Sequence, residues 1–230
     1  MNTTTKKIGE LKPGDKFCFG GYDWTLLDDV RGTAITTDII AHKAFDNGNS
    51  NDWRGSSLRK WLNREFCDSL GKSGIANLLG IMSSLLADDG MRNYGGAEDL
   101  IALLSCDQYR QYRDVIPPLN SIYWTLTPKT CISTIRPCVQ SIDVAGAIMD
   151  IGADVMSASV RPIIRLRPDT LVEVDEPDKR KYTVCAICGA ELGEKYYADI
   201  LGDADDEMPC CSYECALKTL IAERDNVRED

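Results

Sequence analysis

The sequence predicts an α+β fold of short antiparallel strands with two flanking helices, followed by a small module that a metal ion holds together. Three observations lead to this prediction. Short runs rich in β-branched and aromatic residues alternate with turn signals between residues 8 and 168. Two helical patterns interrupt those runs. Five cysteines crowd into residues 185–215, so we expect a domain at 1–168, a linker at 169–181 and a zinc-binding module at 182–230.

The N-terminal part of the chain reads as strands and a hairpin. Residues 16–19 and 22–27 are predicted strands, and Gly20-Gly21 between them is typical of a tight hairpin loop. Residues 33–40 favour a further strand. Residues 46–52, rich in Asp, Asn and Gly, predict a loop.

A short amphipathic helix is predicted to follow that loop. Ser56 is a suitable N-cap, because its hydroxyl can accept a hydrogen bond from a free backbone N–H of the first turn. Leu58, Trp61, Leu62 and Phe66 then fall on one face at helical spacing, so this face is expected to pack on a sheet.

The middle of the chain carries a second helix with a clearer start. Ser105 and Gln108 have the spacing of a capping box, which predicts a helix over 106–113. Residues 100–104 before it read as a buried strand, and residues 88–96 as a loop. The apolar stretch 75–86 has a mixed period and is compatible with a helix.

The last part of the first domain predicts three more strands. Residues 122–126 form one of them. Residues 144–151 and 159–166 are expected to pair with each other through a turn at 152–154.

Three stretches together resemble an uncharacterised domain family of Firmicutes and their phages. They lie at residues 53–63 (Trp-x-x-Ser-x-Leu-Arg-x-Trp-Leu-Asn), 103–109 (Leu-Leu-Ser-x-x-x-Tyr) and 160–166 (Val-Arg-Pro-Ile-Ile-Arg-Leu). The family usually carries Trp-Leu-Arg-Ser before its last strands. Residues 124–127 here read Trp-Thr-Leu-Thr, so the role of that arginine does not carry over.

The closing order of a tryptophan strand, a strand ending in Gly and a Val-Arg-Pro strand is similar to the end of C-type-lectin-like domains. Formylglycine-generating-enzyme relatives and retroelement-diversified phage receptors have such domains. The resemblance implies a C-type-lectin-like fold for residues 1–168, with its termini close together. The calcium motifs Glu-Pro-Asn and Trp-Asn-Asp are absent from the sequence, so no calcium-dependent glycan binding is expected.

The cysteine-rich segment predicts one structural zinc ion. Cys185 and Cys188 form a C-x2-C pair that ends in Gly189, which is typical of a zinc knuckle. Cys211 and Cys215 form a C-x3-C pair at the start of a predicted helix. These four cysteines are the predicted ligands. A closed site of four thiolates leaves no place for water and is therefore structural.

Two points of the zinc prediction stay open in the sequence. Cys210 is an alternative third ligand in place of Cys211, and the cysteines could instead be unrelated buried thiols or a disulfide pair. The arrangement of knuckle, irregular insert and helix resembles a treble-clef finger, and the Cys-Ser-x-x-Cys at 211–215 is similar to that of MYM/TRASH-type fingers. Zinc binding to such a segment would supply about 10–16 kcal/mol of apparent free energy.

Charge and composition narrow the class of partner. The net charge is −10, and residues 169–230 account for all of it with 17 acidic and 7 basic side chains. Such a segment repels phosphate, so we expect a protein with a basic face as the partner and not nucleic acid. No apolar run is long enough to cross a membrane, and ten cysteines without a signal segment favour a cytoplasmic location, the host cytoplasm if a phage encodes the chain.

Three functions are compatible with these patterns. The first is a non-enzymatic binding protein of phage or prophage type, in which the lectin-like scaffold and the acidic zinc module contact a host or defence protein. The second is an enzyme with a loop-built pocket, for which the candidate ligand-binding residues are Trp53, Arg59, Trp124 and Arg161. The third is a nucleic-acid-associated zinc-finger regulator. His42, the single histidine, lies in no catalytic motif. Cys131 and Cys138 could stand for the copper-binding cysteine pair of formylglycine-generating relatives, but the residues around them match no such motif.

Overall fold

The computed structural model describes residues 3–132, 134–175, 184–185, 187–191, 210–212 and 214–215. Two compact units divide the chain, one formed by residues 2–175 and the other containing residues 176–230. In the described part of the chain, no helix has the length and apolarity that crossing a membrane requires.

The first unit is a mixed, sheet-rich fold with few and short helices, in agreement with the predicted α+β class. The described strands are β1 (Thr3–Lys7), β2 (Lys16–Phe19), β3 (Tyr22–Asp28), β4 (Thr33–Thr36), β5 (Ala41–His42), β6 (Ile81–Ser84), β7 (Gly96–Asp99), β8 (Ile101–Ala102), β9 (Tyr123–Pro128), β10 (Cys138–Ile142), β11 (Ile148–Gly152), β12 (Ser159–Val160), β13 (Ile163–Arg165) and β14 (Leu171–Asp175). The described α-helices are α1 (Ser57–Trp61), α2 (Cys67–Ser69), α3 (Gly71–Asn77) and α4 (Cys106–Tyr112).

The strands form two larger sheets and one two-stranded ribbon. The seven-stranded sheet has the order β1-β14-β2-β3-β4-β13-β8, the five-stranded sheet has the order β11-β10-β9-β12-β5, and β6 pairs with β7. Most pairs are antiparallel, and β12 runs parallel to β9. Because β1 pairs with β14, with Thr3 opposite Asp175, the two ends of this unit lie side by side.

The predicted hairpin and both helix starts are confirmed. Gly20 and Gly21 have φ angles of 62° and 79°, so the loop between β2 and β3 uses the left-handed conformation that glycine adopts without strain. The Ser56 hydroxyl caps α1 by accepting from the backbone N–H of Arg59. Ser105 and Gln108 form the reciprocal capping box at the start of α4.

Three secondary-structure predictions are wrong, and each error involves a long-range pairing. Residues 75–86 do not form a helix, because α3 ends at Asn77 and β6 begins at Ile81. Strand β11 pairs with β10, which the sequence analysis missed, and not with residues 159–166. Those residues divide between β12 and β13, which belong to different sheets.

The predicted linker 169–181 also needs correction at its start. Residues 171–175 form β14, which pairs with β1 and contacts β2 through Glu173 and Cys18. Burial of Val172 against the core explains why this segment is a strand and not a connector. Residues 176–181 lie outside the described residues.

Three packed aromatic side chains link the 3-10 turn Trp53–Gly55, which precedes α1, to the five-stranded sheet. Phe45 packs against Trp53 and Trp124 with ring centroids 5.6 and 5.7 Å apart, and all three side chains are fully buried. Leu58, Leu62 and Phe66 belong to the same core, as the helical pattern predicted. Trp61, the fourth residue of that pattern, is only half-buried against it.

Candidate metal centre

Four cysteine sulfurs meet in the second unit. The Sγ atoms of Cys185, Cys188, Cys211 and Cys215 all lie within 4.8 Å of one another. The Cys188 and Cys211 sulfurs are 3.5 Å apart, and those of Cys211 and Cys215 are 3.8 Å apart. These are the four residues that the spacing of the two cysteine pairs selects.

The first pair is held by a tight turn. The backbone N–H of Gly189 donates to the carbonyl of Cys185 at 2.9 Å, and that of Cys185 donates to the carbonyl of Ala190 at 2.8 Å. Gly189 has a φ of 71°, the left-handed conformation that the predicted knuckle requires. An isolated antiparallel bridge between Val184 and Glu191 closes the turn at its base.

The second pair begins at a helix start. The backbone N–H of Cys215 donates to the Ser212 hydroxyl at 3.3 Å, so Ser212 caps the start of this helix. Glu214 and Cys215 are helical. The predicted continuation of this helix past residue 215 and the acidic insert before Cys210 lie outside the described residues.

Backbone N–H groups and neighbouring thiols shift the pKa values of two of these cysteines, Cys185 and Cys211, in opposite directions. Backbone N–H groups of Cys188 and Cys211 point at the Cys185 sulfur and lower its pKa to about 6. Hydrogen bonding with the thiols of Cys188 and Cys215 raises the pKa of Cys211 to about 12. Without a metal ion, the thiolate of Cys185 is thus favoured, whereas the thiols around Cys211 oppose its ionisation. A cation at the centre removes that opposition.

The dimensions of the group fit a tetrahedral metal ion. Zinc–sulfur bonds of about 2.3 Å in tetrahedral geometry place the sulfurs about 3.8 Å apart, which is close to the separations of 3.5 and 3.8 Å. A disulfide has a sulfur–sulfur distance of about 2.05 Å, and no disulfide forms among the residues that the structure describes. The group can therefore hold a metal ion, and its donor set of four soft sulfurs suits zinc.

Cys210 lies beside the group without being one of its four members. Its side chain is buried and packs with those of Cys185, Cys211 and Cys215. Of the two rivals for the third ligand, Cys211 is the one whose sulfur joins the converging set.

Trp53 and Arg59, two of the candidate ligand-binding residues, meet at a buried carboxylate. The indole N–H of Trp53 donates to one oxygen of Asp99 at 2.9 Å, and the Arg59 Nε donates to the other at 2.6 Å. Arg59 also donates to the carbonyls of Arg54 and Glu98. Trp53, in the 3-10 turn before α1, and Arg59, within α1, therefore both bond to the last residue of β7.

Trp124 and Arg161, the other two candidates, are bonded elsewhere in the protein. The indole N–H of Trp124 donates to the carbonyl of Lys43 at 2.8 Å. Arg161 is fully buried, and its guanidinium donates to three backbone carbonyls, those of Thr36, Thr37 and Pro117. Burial lowers the pKa of Arg161 from its ordinary value. The guanidinium therefore links β12 and β13 to residues 36 and 37, which lie more than a hundred positions earlier in the chain.

Two residues that sequence reasoning did not single out complete this picture. Asp99 is the common acceptor for Trp53 and Arg59. The Asn63 amide donates to the carbonyls of Arg59 and Ile101, and its oxygen accepts from the backbone N–H groups of Leu100 and Ile101. Asn63 is the last residue of the motif at 53–63, and that position is the feature of the sequence that could have identified it.

The remaining chemical candidates are placed as follows. His42 is exposed, and its Nδ1 lies 3.1 Å from the carbonyl oxygen of Ser157. Cys138 is buried in β10, where burial raises the pKa of its thiol. Cys131 is half-buried.

Comparisons with protein-family models, curated proteins and solved structures find no match for this chain.

Proposed function

We propose that this protein is a non-enzymatic binding protein whose acidic C-terminal segment is held in shape by one structural zinc ion. The observation that carries the proposal is the convergence of Cys185, Cys188, Cys211 and Cys215 within the segment that holds the net negative charge. In this proposal the segment has a treble-clef form, and the first unit is a C-type-lectin-like scaffold.

The zinc ion would have a structural role. Four thiolates fill a tetrahedral coordination shell, so no position remains for a reacting water. A segment of this length buries too little apolar surface to fold on its own, and metal binding supplies the missing free energy. Four thiolates around one divalent ion would add two negative charges to a segment that is already acidic.

The internal bonding of the four candidate pocket residues supports binding over catalysis. Trp53 and Arg59 share Asp99, while Trp124 and Arg161 donate to backbone carbonyls in other places. An enzyme pocket built around these side chains would need their polar atoms for a ligand. Their structural bonds support a scaffold role instead.

The partner class follows from charge. An acidic surface attracts a protein with a basic face and repels the phosphates of DNA and RNA. For a chain of phage or prophage type, such a partner would be a host or defence protein. A nucleic-acid-associated regulator is the competing outcome of the tests below.

Metal analysis of the purified full chain tests the zinc site. One zinc per chain is expected for the wild type, for the control Cys131→Ser and for Cys210→Ser, with loss of zinc in Cys188→Ser and Cys211→Ser. Retention of zinc by Cys211→Ser together with its loss in Cys210→Ser would assign the third ligand to Cys210. Wild-type protein without metal would overturn the proposal.

Cross-linking capture from a bacterial host lysate tests the binding role. A basic protein should be recovered by the wild type at low salt, and recovery should fall at high salt and in Cys188→Ser. An empty capture, combined with turnover of a compound in a metabolite screen, would favour the enzyme. A labelled DNA or RNA that shifts at low ionic strength would favour the regulator.

A further inference from the structure

Trp61 differs from the other three tryptophans of the chain. Trp24, Trp53 and Trp124 are fully buried, and each donates its indole N–H to an acceptor inside the protein. Trp61 is half-buried, and its indole N–H has no acceptor within the described part of the chain. An indole donor at the surface is available to an outside acceptor.

A cavity of about 320 Å³ lies beside this indole. Its lining includes Lys43, Lys60, Arg64 and Met156 together with Trp61 itself, and we call these five residues the Trp61 groove. Met156 is 63% exposed and adds an apolar edge to this cationic surface.

The charge of this groove is positive. Lys60 and Arg64 are exposed, and neither forms an ion pair with any residue that the structure describes. The cavity is lined by three cationic residues and one acidic residue, Glu65, so the net charge of its lining is about +2.

A neighbouring cavity of about 510 Å³ shares Lys60 and Arg64 with the Trp61 groove. Its acidic lining residues are Glu98 and Asp99, and Asp99 is already paired with Arg59. The two unpaired cations therefore stand where both cavities meet, within reach of a chain that passes from one to the other.

The backbone of this region has an uncommon conformation. The helix that starts as α1 changes to a π-helical turn at Leu62–Phe66 before α2 begins. Leu62 and Phe66 are buried in the core, and Arg64 is exposed between them. Single π-helical turns within α-helices occur frequently at functional sites.

The ring surface of Trp61 is already in use. The Lys43 ammonium lies 4.6 Å from the ring centroid, and the Phe66 ring stacks on it at 5.8 Å with an interplanar angle of 28°. Single-stranded nucleic acid binds basic surfaces by stacking bases on open aromatic faces. Because Lys43 and Phe66 already contact its ring, Trp61 is a poor platform for a stacked base, and its N–H is left for an acceptor such as a peptide oxygen.

We propose that the Trp61 groove binds an acidic peptide segment of a partner protein. Carboxylates of that segment pair with Lys60 and Arg64, an oxygen accepts the Trp61 indole N–H, and an apolar side chain rests on Met156. Charge complementarity is the basis of the assignment. The groove lies in the first unit and involves none of the cysteines, so it goes beyond the function proposed above.

Fluorescence anisotropy with the full-length protein tests this site. The probe is a short fluorescein-labelled peptide rich in Asp and Glu with one central leucine. Lys60→Glu/Arg64→Glu should weaken its binding by about tenfold or more. The matched control Lys12→Glu/Lys72→Glu changes two exposed lysines elsewhere by the same charge, and we expect less than about a threefold effect. Trp61→Phe should weaken binding by about threefold or more because the donor is lost.

Three results would overturn the assignment. One is an equal loss of binding in the two charge-reversal pairs, which would indicate a general charge effect. Another is equal binding of a control peptide with Asn and Gln in place of Asp and Glu. The third is tighter binding of an oligothymidylate, which would make the groove a nucleic-acid site. Zinc content, measured in the same samples, keeps a failure here distinct from a failure of the zinc proposal.

Discussion

Removal of the Asp99 carboxylate offers the most direct test of how the first helix is anchored. Asp99 accepts the Trp53 indole N–H at 2.9 Å and the Arg59 Nε at 2.6 Å, and its side chain is only 2% exposed. Asp99→Ala leaves the indole N–H buried without an acceptor and the guanidinium without its counter-charge. If Trp53 and Arg59 serve the fold, this change lowers the free energy of unfolding.

The expected magnitude follows from the burial of each partner. Breaking a buried ion pair by removing one member costs about 3–5 kcal/mol. The Arg59 side chain is 28% exposed, so water recovers part of its loss and the lower end applies, about 3 kcal/mol. Asp99→Asn keeps one oxygen acceptor for Trp53 and removes the charge, so about 1.5 kcal/mol is expected.

Urea unfolding followed by tryptophan fluorescence measures these differences. The matched control is Asp107→Asn, whose carboxylate is 77% exposed in its pair with Arg110, and its effect should stay below about 0.5 kcal/mol. A double-mutant cycle with Arg59→Ala should give a coupling energy of about 1–2 kcal/mol. An Asp99→Ala protein as stable as the control would refute a structural role for this carboxylate. Trp53 and Arg59 would then again be candidates for binding a ligand.

Three other predictions concern metal binding, a buried cation and pH. Cys188→Ser should lose stoichiometric zinc, and wild-type zinc affinity should fall as pH falls from about 8 to about 6, because protons compete for the thiolates; chelator competition measures both. Arg161→Met should cost about 3 kcal/mol in urea unfolding, because one buried and two partly buried carbonyls lose their donors. The exposed control Arg167→Met should change stability little. Burial raises the pKa of Tyr123 from 10.0 to about 12. The stability that the neutral Tyr123 phenol contributes is therefore fully present below pH 10 and is lost as pH rises through about 12. In unfolding curves at alkaline pH, Tyr123→Phe should lose roughly 2–3 kcal/mol less stability than the wild type over this range.

Local signals predicted local structure well. The Ser56 cap, the capping box of Ser105 and Gln108 and the Gly20-Gly21 turn all depend on residues within a few positions of one another. The same is true of the Cys185 to Gly189 turn, whose geometry is set by one short stretch. Backbone hydrogen bonding within such stretches needs no information from the rest of the chain.

Strand pairing was predicted poorly because partners lie far apart along the chain. Strand β11 was expected to pair with residues 159–166, but it pairs with β10 over five residues instead. Residues 171–175 were included in the predicted linker 169–181, yet they form the strand that lies between β1 and β2. A strand of alternating polarity reveals that one face is buried without revealing which neighbour it pairs with.

The sequence by itself determined the two cysteine pairs, the caps and turns, and the concentration of negative charge in residues 169–230. Only the tertiary structure decided that the sulfurs of both pairs converge, that Arg161 is a buried tie and that Trp61 alone among the tryptophans keeps a free N–H edge in the described part of the chain. The physical reason is distance along the chain. Caps and turns are satisfied by neighbours, whereas these contacts join residues that lie far apart in the sequence, 23 positions for Cys188 and Cys211, 40 for Arg59 and Asp99, and 125 for Arg161 and Thr36.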